Sequence, residues 1–339
     1  MDKSSRQHSL SGDHIVTQCD LPILSWNIHD SITSKEGPKT NDPDFIQVLT
    51  QSMIFCLQET KQEVTLQNYE CFNSTRPDSR SGGVCIGVHR SLSKEVKLLE
   101  TDCPDFQALT VYPNDEKSKF TIINIYDSPE QSSYKAKCKG EYSCGTQRMT
   151  TLEQLLEFKS KNPRIGEIIL VGDLNARTGN LNYDPDDEEN DDDPEGVPSS
   201  HPIEGNRSSQ DRVVNGRGAL LLDFLACCKL SILNGCSLGD ILGEFTSVNY
   251  HGASVVDYMA ATPNLLDSIK SFQVLDLTKF SDHKPILCKL DQQSNLTDPE
   301  VLLESLVDVP KSYKWTDNDD QLQSRFLVTQ DSLEFKTQI

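Results

Sequence analysis

Short apolar runs alternate with stretches of helical spacing from about Leu21 to Leu290. Nine of these runs are rich in β-branched and aromatic residues and are bounded by turn residues, a pattern that predicts β-strands. They are PILSWNI (22–28), MIFCLQE (53–59), GGVCIGV (82–88), FQALTVY (106–112), FTIINIY (120–126), EIILVGD (167–173), EFTSV (244–248), VVDYMAA (255–261) and PILCKL (285–290). IFCL and IILVG are apolar without alternation, which indicates strands buried on both faces.

Three other segments carry apolar residues at the spacing of one helix face. They are DFIQVLTQ (44–51), MTTLEQLLEFKSK (149–161) and GALLLDFLACC (218–228). Two sheets packed together, with helices outside them, bury all of these apolar faces. The pattern therefore predicts an α/β fold, a four-layer α/β sandwich in which two packed mixed or antiparallel β-sheets are flanked by helices. The pattern does not determine the strand order.

The chain of 339 residues is longer than an average domain, yet a single large α/β domain can exceed ~250 residues. We predict one domain over 21–291, preceded by a disordered tail over 1–20 and followed by a polar, linker-like tail over 292–339. Inside the domain, the acidic run YDPDDEENDDDPEG (183–196) repels itself, which predicts a disordered insertion at about 182–200.

Composition narrows the class of protein. With 36% hydrophobic residues and a mean hydropathy of −0.49 the chain can bury a core, and no apolar run approaches the ~20 residues that span a bilayer. The N-terminus lacks the profile of a secretion signal, so we expect an intracellular protein, nuclear or cytoplasmic, without a membrane partner. The 11 cysteines are scattered without zinc-ligand spacing, which favours reduced thiols.

The net charge of −20 argues against a nucleic-acid-binding protein, because phosphate backbones favour a basic face. Much of this charge lies in the acidic run and in the tail after Leu290. The rest of the chain needs local positive charge from a bound cation and a few basic side chains. Any binding to DNA is therefore expected to be weak and strongly salt-sensitive.

Several predicted strands end abruptly in an acidic or amide side chain. Glu59 ends MIFCLQE, Asp173 and Asn175 follow IILVG, Asp257 lies in VVDY, and Asp282 with His283 precedes the last strand. A carboxylate at the end of a buried strand is costly unless it is paired or binds a metal, so the set suggests convergence on one site. Taken singly, each is more often an edge or capping residue.

These residues lie in four short motifs, LQET (57–60), GDLNA (172–176), VVDY (255–258) and SDHKPI (281–286), and two more motifs, SWNI (25–28) and NIYDSP (124–129), complete a set of six. With these motifs the chain resembles the endonuclease/exonuclease/phosphatase superfamily, which includes abasic-site endonucleases, DNase I-like nucleases, inositol phosphatases and sphingomyelinases. The resemblance covers nearly all of 21–290. GDxN followed about a hundred residues later by SDHxP is a specific combination.

Longer segments resemble the endonuclease domain of non-LTR (LINE-like) retrotransposons more closely. They are SGGVCIGVHRSL (81–92), VVNGRGALLLDFLACCKLSILNG (213–235) and GEFTSVNYHGASVVDYM (243–259). In such elements a reverse transcriptase follows the nuclease. None follows within these 339 residues, so we expect a fragment or a free-standing derivative.

The resemblance implies a metal site for Mg²⁺, with Mn²⁺ as a possible substitute. Glu59 is implied as the main ligand, Asn27 as a neutral oxygen beside it, and Asp282 as the residue that completes the metal environment. This set suits a hard cation that keeps most of its waters. From the residues alone, Asn27 can instead cap the loop after its strand.

The resemblance also implies catalytic roles. Asp173 is implied to orient or deprotonate the attacking water, Asn175 to hold that water or a phosphate oxygen, and His283 to bond the scissile phosphate while Asp257 fixes its tautomer. Two alternatives remain: Tyr126, implied to touch the phosphate, can be a core aromatic, and Asp257 can be purely structural. Thr246 and Ser254 match positions that contact the DNA backbone.

Together these residues predict a Mg²⁺-dependent endonuclease that nicks DNA and is derived from a retrotransposon. Two alternatives remain open. The same chemistry can act on another phosphoester, such as an inositol lipid or sphingomyelin, or the chain can be a co-opted, non-catalytic binding or scaffold protein. The sequence does not predict an oligomeric state.

Overall fold

The computed structural model describes residues 19–33, 37–76, 81–113, 119–129, 150–182, 203–204 and 207–292. Two six-stranded β-sheets dominate these residues. The first strand begins at Cys19 and the last ends at Gln292, close to the predicted limits of the domain. The predicted acidic insertion and the rest of both predicted tails lie outside the described residues, so these boundaries stay predictions.

The strands are numbered in chain order. In spatial order, the first sheet consists of β17 (Ile269–Val274), β18 (Ile286–Gln292), β1 (Cys19–Asn27), β4 (Ile54–Gln58), β6 (Val84–His89) and β5 (Tyr69–Ser74). The second sheet consists of β13 (Ser231–Ile232), β16 (Asp257–Ala261), β10 (Glu167–Asp173), β9 (Phe120–Tyr126), β8 (Phe106–Val111) and β7 (Val96–Leu99). Three small ribbons pair β2 (Ile32–Thr33) with β3 (Gly37–Pro38), β11 (Leu181–Asn182) with β12 (Ile203–Glu204), and β14 (Ser247–Asn249) with β15 (Gly252–Ser254).

Each large sheet is mixed. β1 and β4 pair in parallel, as do β9 and β10, whereas the other paired strands are antiparallel. Because the carboxyl ends of parallel neighbours lie at the same edge of a sheet, the register aligns Asn27 with Gln58 and Tyr126 with Asp173. Asp173 is in turn opposite Asp257 across the antiparallel pair β10–β16.

The space between the sheets is filled by alternate residues of the central strands, because successive side chains of a strand point to opposite faces. Ile23, Ile54, Ile122, Val171 and Met259 belong to this apolar layer. Continuing along the same faces by steps of two, the strands reach the polar residues Asn27, Gln58, Asn124, Tyr126, Asp173 and Asp257. The inner faces are therefore apolar at one end of the sandwich and polar at the other.

Helices cover both outer faces. α1 (Pro43–Leu49) packs on the first sheet, where Phe45 meets Trp26. α2 (Thr151–Lys161) and α3 (Gly216–Cys228) pack on the second sheet, and α4 (Pro263–Leu266) is a single short turn. This order of layers confirms the predicted four-layer α/β sandwich. Among the described helices, none is long and apolar enough to cross a membrane.

Gly172 is required for the close pairing of β9 and β10 just before Asp173. Its φ is 142°, and a Cβ atom added there would lie 1.9 Å from the backbone oxygen of Ile125. Gly252 has a similar φ of 139° with open space around it. The two glycines therefore share the same positive φ, but only the buried Gly172 is crowded by backbone atoms.

We expect Gly172→Ala to lower the free energy of unfolding by about 2–3 kcal/mol more than Gly252→Ala does, because backbone atoms cannot move aside as a side chain can. Urea denaturation of both variants measures this difference. Equal losses in the two variants would show that crowding at Ile125 is unimportant.

Candidate active site

Asn27 is the central residue at the polar end of the sandwich. It is fully buried, and its Nδ2 donates hydrogen bonds to Glu59 Oε1 at 3.0 Å and to Asp173 Oδ2 at 2.8 Å. Its Oδ1 accepts from the backbone N–H of His29 at 2.9 Å, so it also caps the turn after β1. One amide thus joins a carboxylate of the first sheet to a carboxylate of the second.

Glu59, the first residue after β4, and Asn175, the second residue after β10, both adopt left-handed backbone conformations, with φ of 53° and 46°. Such a conformation costs about 1–2 kcal/mol for a residue with a side chain and occurs often at functional sites. The turn brings the backbone N–H of Asn175 to Asp173 Oδ1 at 2.9 Å and its Nδ2 to Asp173 Oδ2 at 3.1 Å. The Asp173 carboxylate is thereby held by two amides, those of Asn27 and Asn175.

Asp257 and His283 form a buried pair beside this cluster. The Nδ1 atom of His283 lies 3.0 and 2.8 Å from the two carboxylate oxygens of Asp257. Asp257 is 3% exposed and His283 is 9% exposed. The pairing assigns the Nδ1 proton to the bond with Asp257, which leaves Nε2 as the nitrogen for a substrate.

The electrostatics of the site are dominated by carboxylates. Burial, together with the nearby Asp257 and Glu59, raises the pKa of Asp173, and His283 only partly offsets this. Burial alone would lower the pKa of His283, but Asp257, Asp173 and Asp282 raise it to about 10. Burial, Glu59 and Asp173 likewise raise the pKa of Tyr126. The site therefore favours a bound cation and holds His283 as an imidazolium.

The donor set fits a hard divalent cation. Among the described residues, no lysine or arginine forms an ion pair with Glu59 or Asp173, and His283 only partly offsets the negative charge around Asp173. Asp173, Asp257 and His283 each offer a ligand atom, and these atoms lie within 4.8 Å of one another. Carboxylate and amide oxygens are the ligands that Mg²⁺ prefers.

The three predicted metal ligands are not all in contact. Glu59 and Asn27 meet directly, whereas the half-exposed Asp282 lies 4.0 Å from His29 Nδ1 and accepts a long bond of 3.4 Å from Asn249 Nδ2. The close group of possible ligands thus contains Asp173, Asp257 and His283 but not Glu59, which the sequence predicted as the main ligand. Asn27 bonds to Glu59 and to Asp173 and links the two groups.

Tyr126, Thr246 and Ser254 differ in exposure. Tyr126 is 5% exposed, lies close enough to Glu59 for that carboxylate to raise the pKa of its hydroxyl, and lies beneath the guanidinium of Arg76, which is 5.4 Å from its ring centre. Thr246 is fully buried, and its hydroxyl accepts from the backbone N–H groups of Val256 and Asp257 at 3.1 and 3.0 Å. Ser254 is half-buried in β15. Their contacts with DNA stay predictions, and Thr246 has a visible role in supporting Asp257.

Sequence reasoning missed a polar link between the sheets. Gln58 Nε2 donates to Asn124 Oδ1 at 2.7 Å, and Asn124 Nδ2 donates to the backbone oxygens of Leu57 and Cys85, each at 3.1 Å. The available signal was an amide at an inward position of an otherwise apolar strand. Such a residue needs a partner when it is buried, because an unpaired amide there is costly.

Arg217 was also missed. It lies in the first turn of α3, and its guanidinium binds the Asp127 carboxylate and donates to the backbone oxygens of Ser128 at 2.8 Å and Leu174 at 3.1 Å. Asn175 Nδ2 donates to the backbone oxygen of Asp127 at 3.1 Å. Arg217 therefore stabilises the two loops that hold Asn175, and no local pattern in the sequence reveals a partner 90 positions away.

Comparison with solved structures identifies the fold. The endonuclease domain of TRAS1, a telomere-specific non-LTR retrotransposon, superposes with a TM-score of 0.51 and 18% identity over 81% of this chain and 100% of that chain. The AP endonuclease LMAP from Leishmania major superposes with a TM-score of 0.55 and 11% identity, over 80% of this chain and 88% of that chain. The 3′-5′ exonuclease NExo from Neisseria meningitidis superposes with a TM-score of 0.52 and 18% identity, over 80% of this chain and 100% of that chain.

The chain has the endonuclease/exonuclease/phosphatase fold. The comparisons thus confirm the resemblance predicted from the six motifs at the level of architecture. No protein-family model and no curated protein matches the sequence. Within this fold, two groups of side chains lie together at the polar end of the two inner faces. They are the cluster of Asn27, Glu59 and Asp173 and the pair of Asp257 and His283.

Proposed function

We propose that this chain is a divalent-cation-dependent endonuclease that hydrolyses phosphodiester bonds in DNA, with Mg²⁺ as the expected cation and Mn²⁺ as a substitute. The observation that carries the proposal is the Asn27 amide, which joins Glu59 to Asp173 beside the Asp257–His283 pair. Phosphodiester hydrolysis requires carboxylates that bind a cation, a buried group that accepts a proton, and a positive group such as an imidazolium that stabilises the phosphoryl oxygens.

Glu59, Asn27 and Asp282 would hold the cation, whose charge offsets that of the phosphoryl oxygens and favours ionisation of water. Asp173 orients the attacking water and accepts its proton, and Asn175 holds the Asp173 carboxylate in place. His283 donates from Nε2 to a phosphoryl oxygen, because Asp257 engages its Nδ1. Tyr126 adds a hydroxyl beside Glu59.

DNA is the proposed substrate because of the proteins that share the fold. One is the endonuclease domain of a telomere-specific non-LTR retrotransposon, another is an AP endonuclease, and a variant of NExo has been solved with a product DNA hairpin. The retrotransposon origin rests on the segments 81–92, 213–235 and 243–259. An intracellular location, nuclear or cytoplasmic, is supported by eight cysteines of the described residues, Cys56, Cys71, Cys85, Cys103, Cys227, Cys228, Cys236 and Cys288, which are free thiols.

The test is conversion of supercoiled plasmid to open circles by the purified chain. We expect nicking with Mg²⁺, loss of nicking when EDTA is present, and recovery when excess Mg²⁺ is restored. Inositol lipids and sphingomyelin are assayed in parallel. An intact plasmid, combined with release of phosphate or phosphocholine from those lipids, would assign the site to the other phosphoester class.

A further inference from the structure

Two segments that are far apart in the sequence meet at the candidate active site. The β1 exit (residues 26–29) contains Asn27, and the SDH loop (residues 280–283) contains Asp282 and His283. The indole Nε1 of Trp26 donates to the backbone oxygen of His283 at 2.9 Å, and Ser281 Oγ donates to the backbone oxygen of Asn27 at 2.7 Å. The relative position of the two segments is therefore set by hydrogen bonds to backbone oxygens.

Lys39 makes the same connection with a buried charge. The residue is 5% exposed, and Nζ donates to the backbone oxygens of Ile28 at 2.5 Å and Phe280 at 2.8 Å. One ammonium group thus binds one carbonyl of the β1 exit and one of the SDH loop. A lysine is almost never fully buried without partners, because desolvation of the ammonium is costly.

The charge on Lys39 is retained despite its burial. Desolvation lowers the pKa of Lys39 to about 8, while the nearby Asp30 acts in the opposite direction. At neutral pH most of the molecules therefore carry the ammonium form. Its position is fixed locally, since its backbone N–H donates to the Ser31 oxygen at 2.8 Å and Lys39 begins a tight turn just before α1.

A purely structural anchor for α1 does not account for these contacts. Lys279, on the same side of the molecule, already ties the chain before the SDH loop to the start of α1, with Nζ 3.0 Å from Asp42 and 3.0 Å from Asp44. The two carbonyls that Lys39 binds instead flank the candidate site, one next to Asn27 and one two residues before Asp282.

We propose that Lys39 is a positioning residue, whose buried ammonium holds the β1 exit against the SDH loop and so sets the affinity of the site for its divalent cation. The inference rests on the proposed function. Lys39 does not touch the substrate in this scheme. It acts through Asn27 and Asp282, which it places by binding their neighbours.

The experiment follows thermal unfolding while Mg²⁺ is titrated, because a cation that binds the folded state raises the unfolding midpoint. We expect Lys39→Met to raise the half-saturating Mg²⁺ concentration by roughly 10–100-fold, the usual effect of losing a group that orients ligands. Nicking at saturating Mg²⁺ should stay within about threefold of the wild type. Lys279→Met, the same change at a half-exposed lysine nearby, should leave the titration unchanged. An unaltered midpoint in Lys39→Met would overturn the inference.

Two further variants guard against misfolding. Ser281→Ala removes the bond to the backbone oxygen of Asn27, and with it the bond that the same hydroxyl accepts from the backbone N–H of His283 at 3.1 Å, so it should also raise the half-saturating concentration. If Lys39→Met fails to fold, an unchanged titration in Ser281→Ala overturns the inference. Lys39→Arg keeps the charge and the donors, and a cavity of about 220 Å³ beside Lys39 gives the larger group room, so it should restore most of the affinity.

The two proposals fail in different ways. If the wild type shows neither a thermal response to Mg²⁺ nor nicking, the proposed function is wrong. If the wild type shows both and Lys39→Met titrates like the wild type, only the role of Lys39 is wrong.

Discussion

His283→Ala is expected to reduce the rate of plasmid nicking by roughly 10³-fold or more at saturating Mg²⁺. The physical reason is the loss of a buried imidazolium, since Asp257, Asp173 and Asp282 together raise the pKa of His283 to about 10. The positive charge of the imidazolium stabilises the negative charge that develops on the phosphoryl oxygens. The measurement is single-turnover conversion of supercoiled plasmid to open circles.

Asp257→Asn tests the other member of the Asp257–His283 pair. The amide keeps the size of the carboxylate but not its charge, so the imidazole of His283 loses the partner that favours its protonation. We expect the nicking rate to fall roughly 10–100-fold, which is typical when a group that orients another and favours its protonation is lost.

His29→Ala is the matched control for His283→Ala, because His29 is the other imidazole near Asp282, with a side chain that is 64% exposed. A His283→Ala enzyme that nicks as fast as His29→Ala would refute the assignment.

Glu59→Gln is expected to abolish the Mg²⁺-induced rise of the unfolding midpoint and to lower nicking by roughly 10³-fold. Glutamine has the same shape and can still accept the hydrogen bond from Asn27, so the loss isolates the negative charge. Without Mg²⁺, the variant should be at least as stable as the wild type. The reason is that Glu59 is one of the carboxylates that raise the pKa of the buried Asp173, and its removal relieves that repulsion.

The control for this prediction is Glu63→Gln, which changes an exposed glutamate four residues further along the chain. It should leave both the thermal response and the nicking rate unchanged. If Glu59→Gln still gains stability with Mg²⁺, Glu59 is not a ligand of the cation. The better candidate site would then be the group of Asp173, Asp257 and His283.

The central strands of both sheets were predictable, whereas the edges were not. β4 and β10 are buried on both faces, as their continuous apolar runs predicted. The strands that the pattern did not predict include β5, β7, β13 and β17, which are the four outermost strands of the two sheets. β5, β7 and β17 are partly exposed and carry polar residues, as in YECFNS of β5 and IKSFQV of β17, so their apolar signal is weak. β13 is buried but only two residues long, which is too short for a pattern to register.

The candidate site was predictable in composition but not in its contacts. Strand-end carboxylates predicted that Glu59, Asp173 and Asp257 would lie together, and their order matched a family. The partners of Asn27 lie 32 and 146 positions away, and the alternation of apolar residues contains no information about such distances. The left-handed backbone of Glu59 also lacked a signal, because glycine rather than glutamate is typical of that conformation.

The link between Gln58 and Asn124 has a mechanical consequence. Apolar contacts between two sheet faces are non-directional, whereas a hydrogen bond requires one donor to meet one acceptor. A sliding step here would break an amide pair inside the sandwich and leave donors without acceptors, at a cost of about 1–3 kcal/mol each. The two halves of the candidate site, one on each sheet, are therefore kept in alignment by a pair of amides that is not among the proposed catalytic residues.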